Sequence, residues 1–259
     1  MSITRAGLHI PKVIGHRGAA LRAPENTVAG FRKAAELGCT WVEFDVRLSL
    51  EDRPVVFHDD TLERTTDGTG RVGATPLGAL LSRDAGSYFN FKYRGERIPT
   101  LDETLTLLLS LGLGCDLEMK ADPGREQALA ETVAGTIERV WPKAFPYPLV
   151  TSFSALAIEA FADLAPHIPL GYLTTKLPSD WQVQAGRFGA AAVVCDQKSL
   201  MLEDVKAVST AGFPLLVYTV NQVSRAEMLF AWGVDGVISD APDAILAGPA
   251  TPGLEPRPD

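Results

Sequence analysis

"TWVEFDVRLSLEDRPVVFHDD", residues 40–60, joins two apolar runs through a very short link. Along the first run, 41–48, side chains alternate between the two faces of a strand. Val42, Phe44 and Val46 share one face, while Glu43 and Asp45 share the other with Trp41. In a barrel the apolar set packs against surrounding helices and the opposite set points inward. The link, "SLEDR", is far too short for a parallel crossover but suits a hairpin. The second run, "PVVFHDD" (54–60), is therefore expected to fold back antiparallel on an extension of the first beyond the barrel rim. A tight turn near 50–53 then brings His58 beside Asp45.

Outside this hairpin, short apolar runs alternate with helical periodicity. Strands are predicted at 13–16, 41–48, 115–119, 149–153, 170–173, 192–195, 215–220 and 236–238. Helices are predicted between most of them, at 27–37, 101–110, 127–140, 156–164, 182–188, 202–210 and 225–231. Gly38, Gly212 and Gly233 fall where helix C-caps belong. Strands with interleaved helices imply a parallel sheet in an α/β fold, and this number of strands closes a (β/α)8 TIM barrel. An open doubly wound sheet would want a Gly-rich dinucleotide fingerprint after the first strand, and "GHRGAALRAP" does not supply it.

The 259 residues, 46% of them apolar, suffice for one such barrel, so a single domain over 1–259 is expected. Residues 61–99, rich in Gly, Thr and charge, are too aperiodic for a barrel unit and too long for a plain loop. They are read as a small inserted cap, about 60–100, above the barrel mouth. The tail 247–259 carries Pro249, Pro252, Pro256 and Pro258 and is expected to pack little.

A formal charge of −8 without a Lys/Arg block argues against a nucleic-acid track and leaves a small anionic substrate possible. Cys39, Cys115 and Cys195 each sit beside apolar residues at a predicted strand, which reads as buried free thiols in a reducing compartment. The N-terminus lacks the apolar stretch of a signal peptide, and no run approaches the roughly 20 apolar residues of a membrane span. A soluble cytoplasmic protein with no stable membrane association is expected.

The strand at 115–119 repeats the pattern of the second strand. Cys115, Leu117 and Met119 share one face, and Asp116, Glu118 and Lys120 share the other. Two strands thus deliver carboxylates to one interior place, at the end of the barrel where active sites form. Burying such a group without a partner costs several kcal/mol per ion or forces neutralisation, roughly speaking. A hard divalent cation removes the conflict, and oxygen-only ligands suit Mg²⁺ or Ca²⁺. The opening strand ends in His16 and Arg17 beside Glu43 and Asp45, and His58 returns on the hairpin. Imidazoles there can serve as acid and base. Arg17 offers a planar fork for phosphate oxygens, and Lys120 adds a point charge. His9, in a flexible N-terminal stretch, and His167, in a Pro-flanked loop, receive no role.

These residues, in this order, resemble the glycerophosphodiester phosphodiesterase family. The matching pieces are "HRG" (16–18), "PENT" (24–27), "EFDV" (43–46), "VVFHD" (55–59), "LEMK" (117–120), "TSF" (151–153), "VYTVN" (217–221) and "GVISDAP" (236–242). The resemblance implies a TIM-barrel hydrolase that splits glycerophosphodiesters into sn-glycerol 3-phosphate and an alcohol. It implies Glu43, Asp45 and Glu118 as divalent-metal ligands, and His16 and His58 as general base and acid. Arg17 and Lys120 correspond to its phosphate-side cations. Tyr218 stands where a Trp is common and offers a ring to glycerol or the head group. Asp116 is not carried over as a ligand; it is read as a supporting partner or a salt bridge to Lys120. Two alternatives are a phospholipase-type enzyme acting on lysophospholipids and a non-catalytic barrel binding metal or phosphate.

Overall fold

The structure, a computed structural model, describes residues 3–5 and 8–248. The chain begins with an antiparallel hairpin of β1 (Ile3–Arg5) and β2 (Leu8–Ile10), in which His9 faces Thr4 across the ladder. The barrel then starts with β3 (Val13–His16), followed by α1 (Val28–Glu36) and β4 (Trp41–Leu48). Next, β5 (Pro54–Val56) returns antiparallel on β4, pairing Val46 with Val56 and Leu48 with Pro54. The insertion contains α2 (Leu77–Leu80) and leads into α3 (Leu101–Leu111) and β6 (Gly114–Met119).

From there strand and helix alternate. The order is α4 (Glu126–Val140), β7 (Leu149–Ser152), α5 (Ala155–Leu164), β8 (Leu170–Thr174) and α6 (Trp181–Gly186). It continues with β9 (Ala192–Asp196), α7 (Leu202–Thr210), β10 (Leu215–Tyr218), α8 (Val223–Trp232), β11 (Gly236–Ser239) and α9 (Pro242–Leu246). β3, β4 and β6 to β11 pair in parallel, and β11 on β3 and β3 on β4 close the (β/α)8 barrel.

The period of two along each strand divides the core. Outward-facing Val42, Phe44 and Val46 join Cys115, Leu117 and Met119 against Phe31 of α1, Leu105 and Leu108 of α3, and Val133 of α4. Inward-facing Ile14, Trp41, Leu149, Leu173, Val194, Leu216 and Ile238 form a second cluster inside the barrel. Each large side chain buried this way stabilises the fold by roughly 1.5–3 kcal/mol. Leu8 and Ile10 complete the inner cluster, so the N-terminal hairpin plugs the bottom of the barrel. Sequence periodicity does not reveal this hairpin, and His9 belongs to an ordered strand rather than a flexible stretch. Gly114 makes room inside for Trp41: a Cβ there would lie 2.3 Å from Trp41 Nε1.

The β4–β5 hairpin confirms the reading of residues 40–60, with one difference. The returning strand ends at Val56 rather than continuing to Asp60. Beyond it Phe57 N–H still donates to Asp45 O at 2.9 Å, and the chain then leaves the ladder with His58 at the rim.

The insertion after the second barrel strand has its own small core of Phe57, Leu62, Val72, Leu80, Ala85 and Ile98. Its order comes from turn chemistry rather than periodicity. Asp84 accepts backbone N–H groups of Gly86, Ser87 and Gly95, folding the segment around one carboxylate. The insertion packs on the β3–α1 loop, where Glu25 N–H donates to Tyr88 Oη and Ala29 N–H to Glu96 Oε2. None of the residues lining the central cavity comes from 61–99. Residues 249–259, most of the Pro-rich tail, lie outside the described residues. Cys39, Cys115 and Cys195 are buried free thiols, as expected. Among the described residues no helix is long and apolar enough to cross a membrane.

Candidate active site

A cavity of about 440 Å³ opens at the C-terminal end of the barrel, lined by His16, Arg17, Glu43, His58, Glu118, Lys120 and Tyr218 among others. The strands put these groups there by parity. Ile14 and His16 face inward along β3, and β4 presents Trp41, Glu43, Asp45 and Arg47 in successive layers toward the rim. β6 pairs in register with β4, setting Glu43 beside Asp116 and Asp45 beside Glu118. After His16 the chain turns sharply at Arg17, whose φ is 49°, and Arg17 N–H donates to Glu43 Oε2 at 3.1 Å. Gly18 allows that turn to sit on α1, since a Cβ there would lie 2.6 Å from the Gly30 carbonyl carbon.

Glu43, Asp45 and Glu118 offer carboxylate oxygens that all lie within 4.8 Å of one another. Asp45 is fully buried; Asn26 Nδ2 donates to its Oδ2 at 2.8 Å, and Arg17 Nε lies 3.4 Å from the same oxygen. Its Oδ1 lies 3.5 Å from Lys120 Nζ but accepts no hydrogen bond from the described residues. Lys120 Nζ instead donates to Glu118 Oε1 at 2.8 Å. Burial acts against the Asp45 charge, but Arg17 and Lys120 outweigh it and hold this carboxyl below its usual range. Burial and the neighbouring Asp45 charge push Glu43 and Glu118 up. The cluster is thus short of positive charge and has an unsatisfied buried oxygen. Both features fit a divalent cation held by oxygen ligands.

Two imidazoles flank the carboxylates, each backed by a carboxylate of its own. His16 Nδ1 lies 2.5 Å from Asp240 Oδ1, with its Nε2 3.7 Å from Glu43 Oε2. Asp240 is held in turn by Asn221, whose Nδ2 donates to Oδ2 at 2.7 Å and whose Oδ1 accepts Asp240 N–H at 2.9 Å. His58 Nδ1 lies 2.6 Å from Asp59 Oδ1, and its backbone carbonyl accepts Arg47 Nε at 2.8 Å. A carboxylate on Nδ1 fixes the tautomer that leaves Nε2 for chemistry in the cavity. Burial opposes protonation of His16, but Glu43 and Asp240 outweigh it and raise its pKa. At His58 burial, helped by Arg17 and Lys120, prevails over Asp45 and lowers it.

The far wall is apolar, with Phe153, Leu173, Val194, Tyr218 and Ile238. Tyr218 packs edge-on against Phe153 and donates its hydroxyl to Thr174 O at 2.9 Å. Asp116 lies below the carboxylate cluster and accepts from Thr151 Oγ1 at 2.9 Å. Burial pushes Asp116 up to about 8. The salt bridge to Lys120 weighed for Asp116 is not formed: Lys120 pairs with Asp45 and Glu118. His167 pairs with Glu138 at 2.6 Å, away from the cavity.

Sequence reading collected His16, Arg17, Glu43, Asp45, His58, Glu118, Lys120 and Tyr218, and all line or border this one cavity. It missed the groups that hold them: Asp240, Asp59, Asn26, Asn221, Glu25 and Arg64. All but Arg64 stand in the stretches "PENT", "VVFHD", "VYTVN" and "GVISDAP", and two carried a positional signal as well. Asp59 directly follows His58, and Asp240 follows the last strand, which barrel closure must bring beside the first.

The chain matches the model of the glycerophosphoryl diester phosphodiesterase family over residues 16–244. It is 33% identical, over 90% of this chain and 96% of the relative, to a glycerophosphodiester phosphodiesterase of Caldanaerobacter subterraneus subsp. tengcongensis. Among solved structures it resembles an Oleispira antarctica phosphodiesterase in complex with the product sn-glycerol-3-phosphate. That likeness has a TM-score of 0.89 and 38% identity, covering 92% of this chain and 96% of the other. A glycerophosphodiester phosphodiesterase from Agrobacterium tumefaciens matches with a TM-score of 0.77 at 26% identity, covering 92% and 100%.

Proposed function

The chain belongs to the glycerophosphoryl diester phosphodiesterase family, and from that membership we propose that it hydrolyses glycerophosphodiesters to sn-glycerol 3-phosphate and an alcohol. One observation carries the proposal: three carboxylates within 4.8 Å of one another share a cavity with two carboxylate-backed imidazoles and two cations. The Oleispira relative's complex with sn-glycerol-3-phosphate supports a small anionic product.

Glu43, Asp45 and Glu118 are the residues that would hold a divalent cation, Mg²⁺ or Ca²⁺. Bound there, it would supply neutralising charge to the non-bridging phosphate oxygens, where phosphoryl transfer gains most. Arg17 presents its guanidinium fork to the same oxygens, and Lys120 adds a single charge. His16, aimed by Asp240, takes the proton from the nucleophile, which is either water or the substrate's own glycerol hydroxyl. His58, aimed by Asp59, returns a proton to the leaving alkoxide. The raised His16 and lowered His58 are the reverse of what base and acid need near neutral pH. Compensating the charge of Glu43 would remove the main lift on His16. Tyr218 and Phe153 offer their rings to the glycerol carbons or the head group.

The test is release of glycerol 3-phosphate from glycerophosphocholine, read by a coupled assay with Mg²⁺, with Ca²⁺ and after chelation. Cation-dependent release is expected. No release with either ion, and no turnover of lysophospholipid, would leave the non-catalytic barrel as the surviving reading. Lysophosphatidylcholine vesicles address the lipid-acting alternative, with choline as the readout because the glycerol phosphate released there stays acylated. Phe91, 73% exposed, is the aromatic such an enzyme would want, but it lies in the insertion and does not line the cavity.

A further inference from the structure

Arg64 belongs to the insertion and does not line the cavity, yet both edges of its guanidinium are engaged. Nε donates to Asp59 Oδ2 at 2.6 Å and Nη2 to Asp59 Oδ1 at 2.9 Å. Nη1 and Nη2 donate to Glu25 Oε2 and Oε1, each at 2.7 Å. Both carboxylates hold a residue of the site. Asp59 Oδ1 lies 2.6 Å from His58 Nδ1, and Glu25 Oε1 accepts Arg17 Nη1 at 2.8 Å. One planar fork therefore joins the backing of the proposed acid to the backing of the proposed phosphate ligand.

Stability alone does not account for this arrangement. Arg64 is 47% exposed, and exposed ion pairs contribute little to folding. What a doubly bidentate guanidinium supplies is fixed geometry. Burial acts against the Asp59 charge, but Arg64 and His58 hold this carboxyl well below the usual range, so it stays an acceptor for His58 Nδ1–H.

We propose that Arg64 is a positioning residue that aims His58 at the leaving group through Asp59 and fixes its separation from Arg17 through Glu25. In the step it serves, the nucleophile's oxygen, giving its proton to His16, bonds to phosphorus as the bond from phosphorus to the leaving oxygen breaks with its electron pair on the leaving oxygen. The proton on His58 Nε2 moves to that oxygen, and the imidazole is left neutral. A misaimed ring costs most when the leaving alkoxide is strongly basic and least when it departs readily as an anion.

The inference rests on the assignment of His58 as the acid, and its test separates the two. Arg64→Gln and Arg64→Lys are assayed on glycerophosphocholine and on glycerophospho-p-nitrophenol, whose leaving group needs no proton. On the choline ester kcat is expected to fall about 10²-fold for Arg64→Gln, and by less for Arg64→Lys, with KM little changed. On the p-nitrophenyl ester kcat should barely move. Added guanidinium should restore part of the turnover of Arg64→Ala on the choline ester only. An equal loss on both esters, or none on either, overturns the positioning role while leaving the hydrolase reading intact. Wild-type protein that released no glycerol 3-phosphate would bring down the functional reading, and this inference with it.

Discussion

His16 Nδ1 and Asp240 Oδ1 lie 2.5 Å apart, so the first and last strands of the barrel meet at the site through one hydrogen bond. The pairing of β11 with β3 brings the "SDAP" segment alongside the end of β3 and makes that contact possible. Asp240 does two things for the imidazole. It fixes the tautomer that leaves Nε2 as an acceptor, and it raises the pKa of the ring.

Asp240→Asn separates those effects from folding. The amide is isosteric and keeps an oxygen for Asn221 Nδ2, so the barrel should melt near the wild-type temperature. Turnover should fall about 10²-fold as the ring loses its orienting carboxylate. The acid limb of kcat/KM should move to lower pH, because a carboxylate that favours protonated His16 has been removed. Unchanged turnover and an unmoved acid limb would dismiss His16 as the base.

The carboxylate cluster makes a prediction that needs no turnover. A cation held only by the folded protein raises its stability, by about 2.7 kcal/mol when present at a hundredfold excess over its dissociation constant. Mg²⁺ or Ca²⁺ should therefore raise the melting temperature of the wild type, and chelation should reverse the shift. Asp45→Asn removes the central carboxylate of the cluster and should abolish the cation-dependent shift. A shift of equal size in Asp45→Asn would place the cation elsewhere.

How far the sequence could be read follows from which interactions are local. Glu43, Asp45, Asp116 and Glu118 were legible because the period of two along β4 and β6 exposes them as polar residues on an otherwise buried face. His58 was legible because "SLEDR" forces a hairpin, and the observed pairing of Val46 with Val56 is that hairpin. The N-terminal hairpin was not, since three-residue strands carry too little periodicity and β2 acquires meaning only once Leu8 and Ile10 meet the barrel interior. The insertion was legible in extent but not in form, because turns around Asp84 carry no repeating pattern. Arg64 was invisible for another reason. An Arg among Glu, Thr and Asp reads as a solvated residue, and its partner Glu25 lies 39 positions away.

The floor of the barrel offers a stability prediction independent of chemistry. Gly114 faces Trp41 across the β4–β6 ladder, and any added methyl would collide with the indole at 2.3 Å. Trp41 is packed among Leu8, Ile10 and Ile14 and has little room to yield. Gly114→Ala should cost about 1–3 kcal/mol, as overpacking of a filled core does. The melting temperature should drop while turnover per folded molecule stays close to wild type. A variant melting with the wild type would mean that the indole moves freely and that the inner core is looser than its burial implies.

Asp116 yields the prediction with the clearest pH signature. Its folded pKa is about 8, raised by burial, against about 3.9 for an unfolded aspartate. A carboxyl whose folded pKa is raised contributes stability that is fully present below the unfolded value and lost as pH rises through the folded one. Wild-type protein in chelator should therefore lose stability relative to Asp116→Asn between about pH 4 and about pH 8. The loss should be on the order of a few kcal/mol by the alkaline end. The substitution keeps an oxygen for Thr151 Oγ1, so the hydrogen bond in the wild type at 2.9 Å need not be broken. Melting temperatures of both proteins across that range measure the difference directly. Parallel curves would show that Asp116 is already ionised in the folded barrel, and that water or a cation reaches it beneath Glu43 and Glu118.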